Sequence, residues 1–309
     1  MTVLELINQH ARALEDAGVA FGHGTSNAFD EAAWMVLWQL GLPLDAPLDA
    51  DADTESSVAN RPVAQAQQAQ VASLLIARIT TRKPAAYLTH EAWLQGVPFY
   101  VDERAIVPRS LIAELLCEAD SAGSIDPWLG EHTHRVLDLC TGNGSLAVLC
   151  AMAYPDVHVD AADLSPAALE VATINLQKHD LQARITLLAS DGLAGVNGPY
   201  DLIVCNPPYV NAQSMRLLPA EYLAEPAMAL AGGADGMDFV RQLLRDAPAH
   251  MSEHAVLVLE IGNERHPFEA AFAALEVVWL TTSAGDDQVL LVTREALAAL
   301  GDSAGELTA

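Results

Sequence analysis

Asn206-Pro207-Pro208-Tyr209 sets an amide, two rigid prolines and an aromatic ring at consecutive positions. The apolar run Leu202-Ile203-Val204-Cys205 precedes them and reads as a buried strand. In an open parallel sheet, ligands bind beyond the carboxyl ends of the strands. Four such residues can hold a planar nitrogen group and offer it to an electrophile. Proline suits this work because it fixes φ and removes a competing N–H donor. A rigid loop closing a strand is the plainer reading, and a second motif upstream argues against it.

That motif is Val136-Leu137-Asp138-Leu139-Cys140-Thr141-Gly142-Asn143-Gly144, a strand, a tight loop and the start of a helix. Glycines here let the backbone come close to a ligand. Alone, the stretch could be an ordinary glycine-rich turn. It lacks the full G-x-G-x-x-G that cradles a pyrophosphate, so a cofactor without phosphates matches better. Asp163 ends the next predicted strand about 20 residues on, where a carboxylate can accept from both hydroxyls of a ribose. Ser165 is the better N-cap for a helix starting near Pro166, which frees Asp163 for a ligand. Asp191 ends the third strand and could accept from an adenine amino group, or simply serve a turn. Together these positions suit S-adenosylmethionine, which becomes S-adenosyl-L-homocysteine on losing its methyl group. The candidate cofactor residues are Asp138, Cys140, Thr141, Gly142, Asn143, Gly144, Asp163, Asp191 and Asn206.

The elements that must position these residues fall into two blocks. With 309 residues the chain is long enough for two domains. Residues 1–85 read as a helical domain. Val3, Leu4, Ile7, Ala11 and Leu14 recur at helical spacing, a second helix starts near Phe29 and carries Trp34, and a third spans 62–82. The acidic, proline-containing stretch from Asp45 to Asn60 reads as an exposed loop. Residues 86–107 read as a connector built on a β-hairpin, with Gln95-Gly96 between Ala92-Trp93-Leu94 and Val97–Val101.

From 108 to 300 the pattern becomes that of an α/β domain. Leu111–Ala122 is a predicted helix. Strands at 135–139, 157–162, 184–189, 200–205 and 254–261 alternate with helices at 144–154, 166–179, 236–250 and 264–275. Such alternation predicts a parallel sheet covered on both faces. Strands at 276–282 and 288–293 are too close for a crossover helix and must be antiparallel. Residues 301–309 read as a flexible tail.

Composition narrows the function classes. The formal net charge is −26. Gripping nucleic acid through its phosphates needs a basic surface, so no direct nucleic-acid grip is expected. The same charge suits a basic protein partner, or serves solubility alone. No apolar run approaches the roughly 20 residues of a membrane span. No basic segment followed by an apolar core marks a signal peptide at the start. Cys117, Cys140, Cys150 and Cys205 form no C-x-x-C pair, so neither zinc nor a disulfide framework is expected. A cytoplasmic home is the simplest expectation.

Asp-Leu-Cys-Thr-Gly-Asn-Gly followed by Asn-Pro-Pro-Tyr about 60 residues later resembles the methyltransferases that modify planar nitrogens. The leading helical domain, and no inserted target-recognition domain, narrow this to the protein glutamine N5-methyltransferases. Glu225-Pro226 and Ala229–Gly236 resemble the segment after the tetrapeptide in that family. Phe21–Thr25 with Asp30-Glu31-Ala32, and Phe99–Arg104 with Val107-Pro108-Arg109-Ser110, resemble the branch acting on ribosomal protein L-three of the large subunit. The release-factor branch typically carries Pro-Arg-Pro-Asp-Thr-Glu where this chain has Pro108–Ala113. Asn143 departs from the small residue usual at its position.

The resemblance implies a seven-stranded SAM-dependent methyltransferase fold with an antiparallel C-terminal hairpin. It also implies methyl transfer to a glutamine side-chain nitrogen, with a basic ribosomal protein as partner and the helical domain over 1–85 as the part that recognises the substrate. In the family, the Asn206 side-chain oxygen and the Pro207 carbonyl would accept the two amide hydrogens, with Pro208 and Tyr209 beside the substrate. Tyr209 would wall the planar amide. The same reaction on peptide chain release factors, or methylation of an exocyclic amine in nucleic acid, are the alternatives. Arg109 is a weaker candidate, for a cofactor carboxylate. His23 could contact substrate or stabilise a turn. His250 and His254 lack the glutamate of a zinc protease motif and read as helix-end residues.

Overall fold

The computed structural model describes residues 1–48, 57–117 and 124–306. Helices α1 (Val3–Asp16), α2 (Ala28–Leu40) and α3 (Gln65–Thr81) pack around a core of their own that includes Leu6, Ile7, Leu14, Val36, Val71 and Leu75. Their starts follow local chemistry. Thr2 and Glu5 form a reciprocal capping box on α1, and the Asn27 side chain accepts the Asp30 N–H at 2.9 Å. Gly41 closes α2 in the left-handed conformation. A short helix α4 (Ala85–Thr89) falls at the start of what the sequence assigns to the connector. The hairpin follows, with β1 (Ala92–Leu94) antiparallel to β2 (Val97–Phe99). Gln95 and Gly96 both have positive φ, which matches the twist of a two-residue turn.

The remainder is a seven-stranded sheet. After α5 (Ile112–Cys117) come β3 (Arg135–Leu139), α6 (Ser145–Ala153), β4 (His158–Asp163), α7 (Pro166–Lys178), β5 (Ile185–Ala189) and β6 (Tyr200–Cys205). Then follow α8 (Ala212–Met215), α9 (Asp238–Asp246), β7 (Met251–Glu260), α10 (Arg265–Ala271), β8 (Val278–Thr282), β9 (Gly285–Thr293) and α11 (Arg294–Glu306). The spatial order is β5-β4-β3-β6-β7-β9-β8. The first five strands of that order are parallel, and β9 is antiparallel to both β7 and β8. This is the expected seven-stranded methyltransferase architecture with an antiparallel C-terminal hairpin.

Both faces of the sheet are covered, so its central strands are apolar at successive positions. Val136, Leu202, Val204 and Val258 face α5, α6 and α7 in one core. Leu137, Leu139, Ile203 and Leu257 face α9, α10 and α11 in the other.

Several boundaries differ from the sequence reading. The helix expected over 111–122 is seen over Ile112–Cys117, and 118–123 lie outside the described residues. Of the acidic loop, 49–56 also lie outside them, while Val58–Asn60 form a 3-10 turn. The helix expected over 236–250 gives way to a 3-10 turn at Ala247, where Pro248 lacks an N–H. Strand β7 starts at Met251, ahead of the expected 254. Within the tail expected over 301–309, residues 301–306 continue α11, whose Leu297 is buried in the second core, and 307–309 lie outside the described residues.

The helical domain is tied down by charge. Arg78 on α3 is the largest wholly buried side chain among the described residues. It donates to Glu31 at 2.7 Å, to Glu221 at 3.3 Å and to the Ala20 carbonyl at 2.8 Å. Arg82 reaches the same Glu221 oxygen at 3.1 Å. Deleting one partner of a buried pair strands the other, at about 3–5 kcal/mol. Arg78→Ala should therefore lose about that much stability in urea unfolding; a loss under about 1 kcal/mol, the scale of an exposed pair, would contradict this.

Candidate active site

Connections leave β3 toward β4 and β5 on one side, and β6 leads to β7 on the other. The order reverses between β3 and β6, and a crevice opens at their carboxyl ends. A cleft of about 120 Å³ lies there. The sequence brings its walls from four strand ends. Leu139 ends β3, with Cys140 and Gly142 after it, and Asp163 ends β4, with Ser165 after it. Ser190 and Asp191 follow β5, and Asn206 and Pro208 follow β6. Phe239 of α9 and Met228 close the remaining sides.

The loop after β3 is a tight construction. Gly142 takes φ +56 and its N–H donates to Asp163 Oδ2 at 2.8 Å. Asp163 Oδ1 accepts the Ser165 N–H at 2.8 Å, and the Ser165 hydroxyl caps α7 at the Ala168 N–H. So Asp163 lines the cleft with its carboxylate already aimed by two backbone donors. Cys140 holds a left-handed φ of +62, uncommon for a side-chain-bearing residue.

Asp138, Thr141, Asn143 and Gly144 are not brought to the cleft wall; they lie behind the loop. Asp138 is wholly buried, and its Oδ2 accepts the Thr141 hydroxyl at 2.5 Å and the Ala147 N–H at 2.9 Å. It braces the loop and the first turn of α6. The carbonyl of Asn143 accepts from Asn175 of α7 at 2.9 Å. Gly144 sits where an added Cβ would lie 3.1 Å from Ala172. Asp138 Oδ1 and Asn143 Nδ2 are buried without a hydrogen-bond partner among the described residues.

In the tetrapeptide, Asn206 and Pro208 face the cleft, whereas Pro207 is buried and Tyr209 turns behind it. The Tyr209 hydroxyl donates to Glu260 at 3.3 Å. Its ring lies so close to Gly262 that an added Cβ would come within 2.5 Å of Cε2. A Cβ at Gly236 would meet the Tyr209 carbonyl at 2.3 Å. The glycine-rich run after the tetrapeptide is thus an approach surface for its backbone. Val210 and Gly232 exchange strand-like bonds with it, Val210 N–H to Leu230 at 2.8 Å and Gly232 N–H to Val210 at 2.9 Å.

Two buried carboxylates support this loop. Glu260, at the end of β7, accepts from the Ser110 hydroxyl at 2.6 Å and the Leu111 N–H at 2.9 Å as well as from Tyr209. Burial pushes its carboxyl up. Glu225 accepts the Val107 N–H at 2.9 Å and both Arg109 Nη groups at 2.6 and 2.8 Å, with His23 Nε2 at 3.4 Å. Burial alone would raise the Glu225 carboxyl, but His23 and Arg109 outweigh it and hold it at about 2. Arg109 is therefore committed to Glu225, which corrects its assignment to a cofactor carboxylate. His23 is a buried structural contact whose ring lies tilted against Tyr222, with ring centroids 4.3 Å apart. His250 ends a 3-10 turn, and His254 lies in β7 with its ring 5.8 Å from that of His132. Sequence reasoning missed Glu260, Phe239 and Met228. Glu260 ends an apolar strand, and a charge at the end of such a run is the signal that could have marked it.

The donor set fits S-adenosylmethionine. Two carboxylates, Asp163 and Asp191, are placed for hydroxyl and amino groups, and Leu139, Ala162, Pro208 and Phe239 give apolar walls for a flat base. The cation on the wall is Arg104, which Asp102 holds at 2.6 Å and Glu170 at 2.8 Å. Nothing in that arrangement calls for phosphate.

Burial pushes the Asp138 carboxyl up to about 7; Asp163 adds to the rise, and the bonds from Thr141 and Ala147 oppose it. A folded value above the unfolded one means the stabilising contribution is complete below about 4 and disappears as pH rises through 7. Asp138→Asn should therefore gain on the wild type by about 2–3 kcal/mol between pH 5 and pH 8 in denaturant unfolding. A pH-independent difference would contradict the raised value.

The methyltransferase small domain family matches residues 125–254. A ribosomal protein uL3 glutamine methyltransferase of Bordetella pertussis is 50% identical over 299 residues, covering 96% of both chains. Proteins of the same name from Burkholderia pseudomallei and Neisseria meningitidis serogroup B are 48% and 46% identical. The first covers 97% of this chain and 96% of its own, the second 96% and 94%. Each of these matches spans nearly the whole chain. The chain belongs to the family of the ribosomal protein uL3 glutamine methyltransferases.

Proposed function

We propose that this protein methylates the N5 of a glutamine in ribosomal protein uL3. The observation that carries this reading is the placement of Asn206, whose side chain opens into a cleft shaped for S-adenosylmethionine at the end of β6. Asp163, Asp191, Gly142 and the apolar walls would hold the cofactor. Bound there, S-adenosylmethionine supplies an electrophilic methyl group and leaves as S-adenosyl-L-homocysteine.

The chain's own residues supply orientation. An amide nitrogen is a poor nucleophile because its lone pair is shared with the carbonyl. Asn206 Oδ1 and the Pro207 carbonyl accept its two hydrogens and fix the nitrogen's direction. The same acceptors stabilise the positive charge that develops on nitrogen as it gains the methyl carbon. A strong base is not needed, since the extra proton becomes acidic once the bond forms and passes to water. Pro207 offers a carbonyl but no N–H, so it does not donate where acceptors are required. Tyr209, held by Glu260 behind the loop, keeps the peptide of the acceptor pair in place. The reaction is soluble-phase chemistry on a basic protein, and a cytoplasmic setting goes with it.

Recognition of uL3 over release factors rests on the 46–50% identity to proteins of that name across nearly the whole chain. The acid charge of −26 counts against a nucleic-acid base as acceptor. Methyl-labelled S-adenosylmethionine with purified uL3 and with release factors separates these readings. Wild type should label uL3 alone. Asn206→Ala should lower the turnover number at least about 100-fold while cofactor affinity stays within a few-fold. Labelling of release factors but not uL3 would overturn the substrate, and full activity in Asn206→Ala would overturn the acceptor role.

A further inference from the structure

Away from the cofactor cleft, the helical domain and the hairpin enclose a second groove of about 970 Å³. Trp34 and Trp38 on α2, Trp93 on β1 and Phe29 give it an aromatic lining, extended by Leu42 and Leu44 of the loop after α2. Trp93 is 44% exposed and Phe29 38%. Large exposed rings gathered in one concavity mark an interaction surface. Asp30, Asp45 and Glu91 belong to the lining, which includes no lysine, arginine or histidine among the described residues. Glu91 also accepts the Trp93 indole N–H at 2.8 Å, which fixes the ring.

We propose that this groove seats a lysine- or arginine-bearing segment of the protein substrate, separate from the loop that carries the target glutamine. The proposal rests on the reading of uL3 as substrate. Indole faces attract cations, and apolar stems of lysine and arginine pack along the same rings. The acidic rim supplies charge of the opposite sign and speeds encounter with a basic partner. The groove is tied to the active site through buried contacts. Its Gly24 and Thr25 adjoin His23, which meets Glu225, and the next residue, Pro226, lines the cofactor cleft. A substrate seated at both places binds through two linked contacts, so losing one weakens the whole.

The test uses full-length protein and two variants, Asp45→Lys with Glu91→Lys, and Trp93→Ser. Affinity for fluorescently labelled uL3 and turnover of uL3 are both measured, alongside turnover of a short peptide containing only the target loop. Both variants should bind uL3 about tenfold more weakly, with a raised KM and a turnover number within twofold. The charge variant should also lose most of the salt dependence of binding. Peptide methylation and cofactor affinity should not change. Wild-type affinity in both variants, or no binding of uL3 by the wild type, overturns the groove proposal. Equal losses on uL3 and on the peptide overturn it too, as does a concentration-dependent dimer that Trp93→Ser abolishes, which would give the groove to a second copy. Binding of uL3 that weakens as stated, with no methylation by wild type, leaves the groove standing and overturns the proposed activity instead.

Discussion

A carboxylate removed from water needs full compensation, and Glu225 obtains it from two other parts of the chain. The Val107 N–H and the Arg109 fork come from the linker, and His23 comes from the helical domain. Glu225 itself belongs to the segment that follows the tetrapeptide. Because an unpaired buried charge costs several kcal/mol, these parts are held together wherever Glu225 is ionised. Tyr222, three residues earlier, packs against Gly22, where an added Cβ would lie 2.4 Å from the phenolic oxygen. Glu221 extends the same tie to Arg78 and Arg82. The helical domain and the reactive loop therefore share one set of buried charges.

Glu260 plays the complementary part from inside the sheet. It ends β7 and bonds to Ser110, Leu111 and Tyr209. Glu225 and Glu260 thus grip the linker at 107–109 and at 110–111, and each is joined to the loop carrying Asn206 and Pro207. Neither carboxylate faces the cleft as a general base. That division suits chemistry in which neutral acceptors orient an amide and the proton leaves late. It also suits an acidic protein whose charges are mostly spent on its surface and its internal ties, with Asp163 and Asp191 on the wall of the cleft.

Much of the sheet was legible from periodicity, because strands buried on both faces read as apolar runs and the helices between them are amphipathic or apolar. The hairpin at Gln95-Gly96 was legible from its turn chemistry. The position of Asn206 and Pro208 at a strand end followed from the apolar run before them. Other features depend on contacts no local pattern encodes. Arg109 finds its partner at Glu225, 116 positions away. A guanidinium near a loop looks free in sequence, and its commitment shows only when the fold closes. Asp138 sits inside a cofactor-type motif, yet its direction is set by Thr141 and Ala147 closing over it. The packing of α11 on the second core at Leu297 is hidden in sequence by polar and small neighbours.

The central claim is that the methyl group goes to a side-chain amide nitrogen held by neutral acceptors. Acid hydrolysis of uL3 labelled from methyl-labelled S-adenosylmethionine tests it most directly, since cleaving an N-methyl amide frees the nitrogen with its methyl group. The account predicts that the label leaves as volatile methylamine, with glutamate left behind. Label retained on an amino acid, or found on RNA, would contradict it.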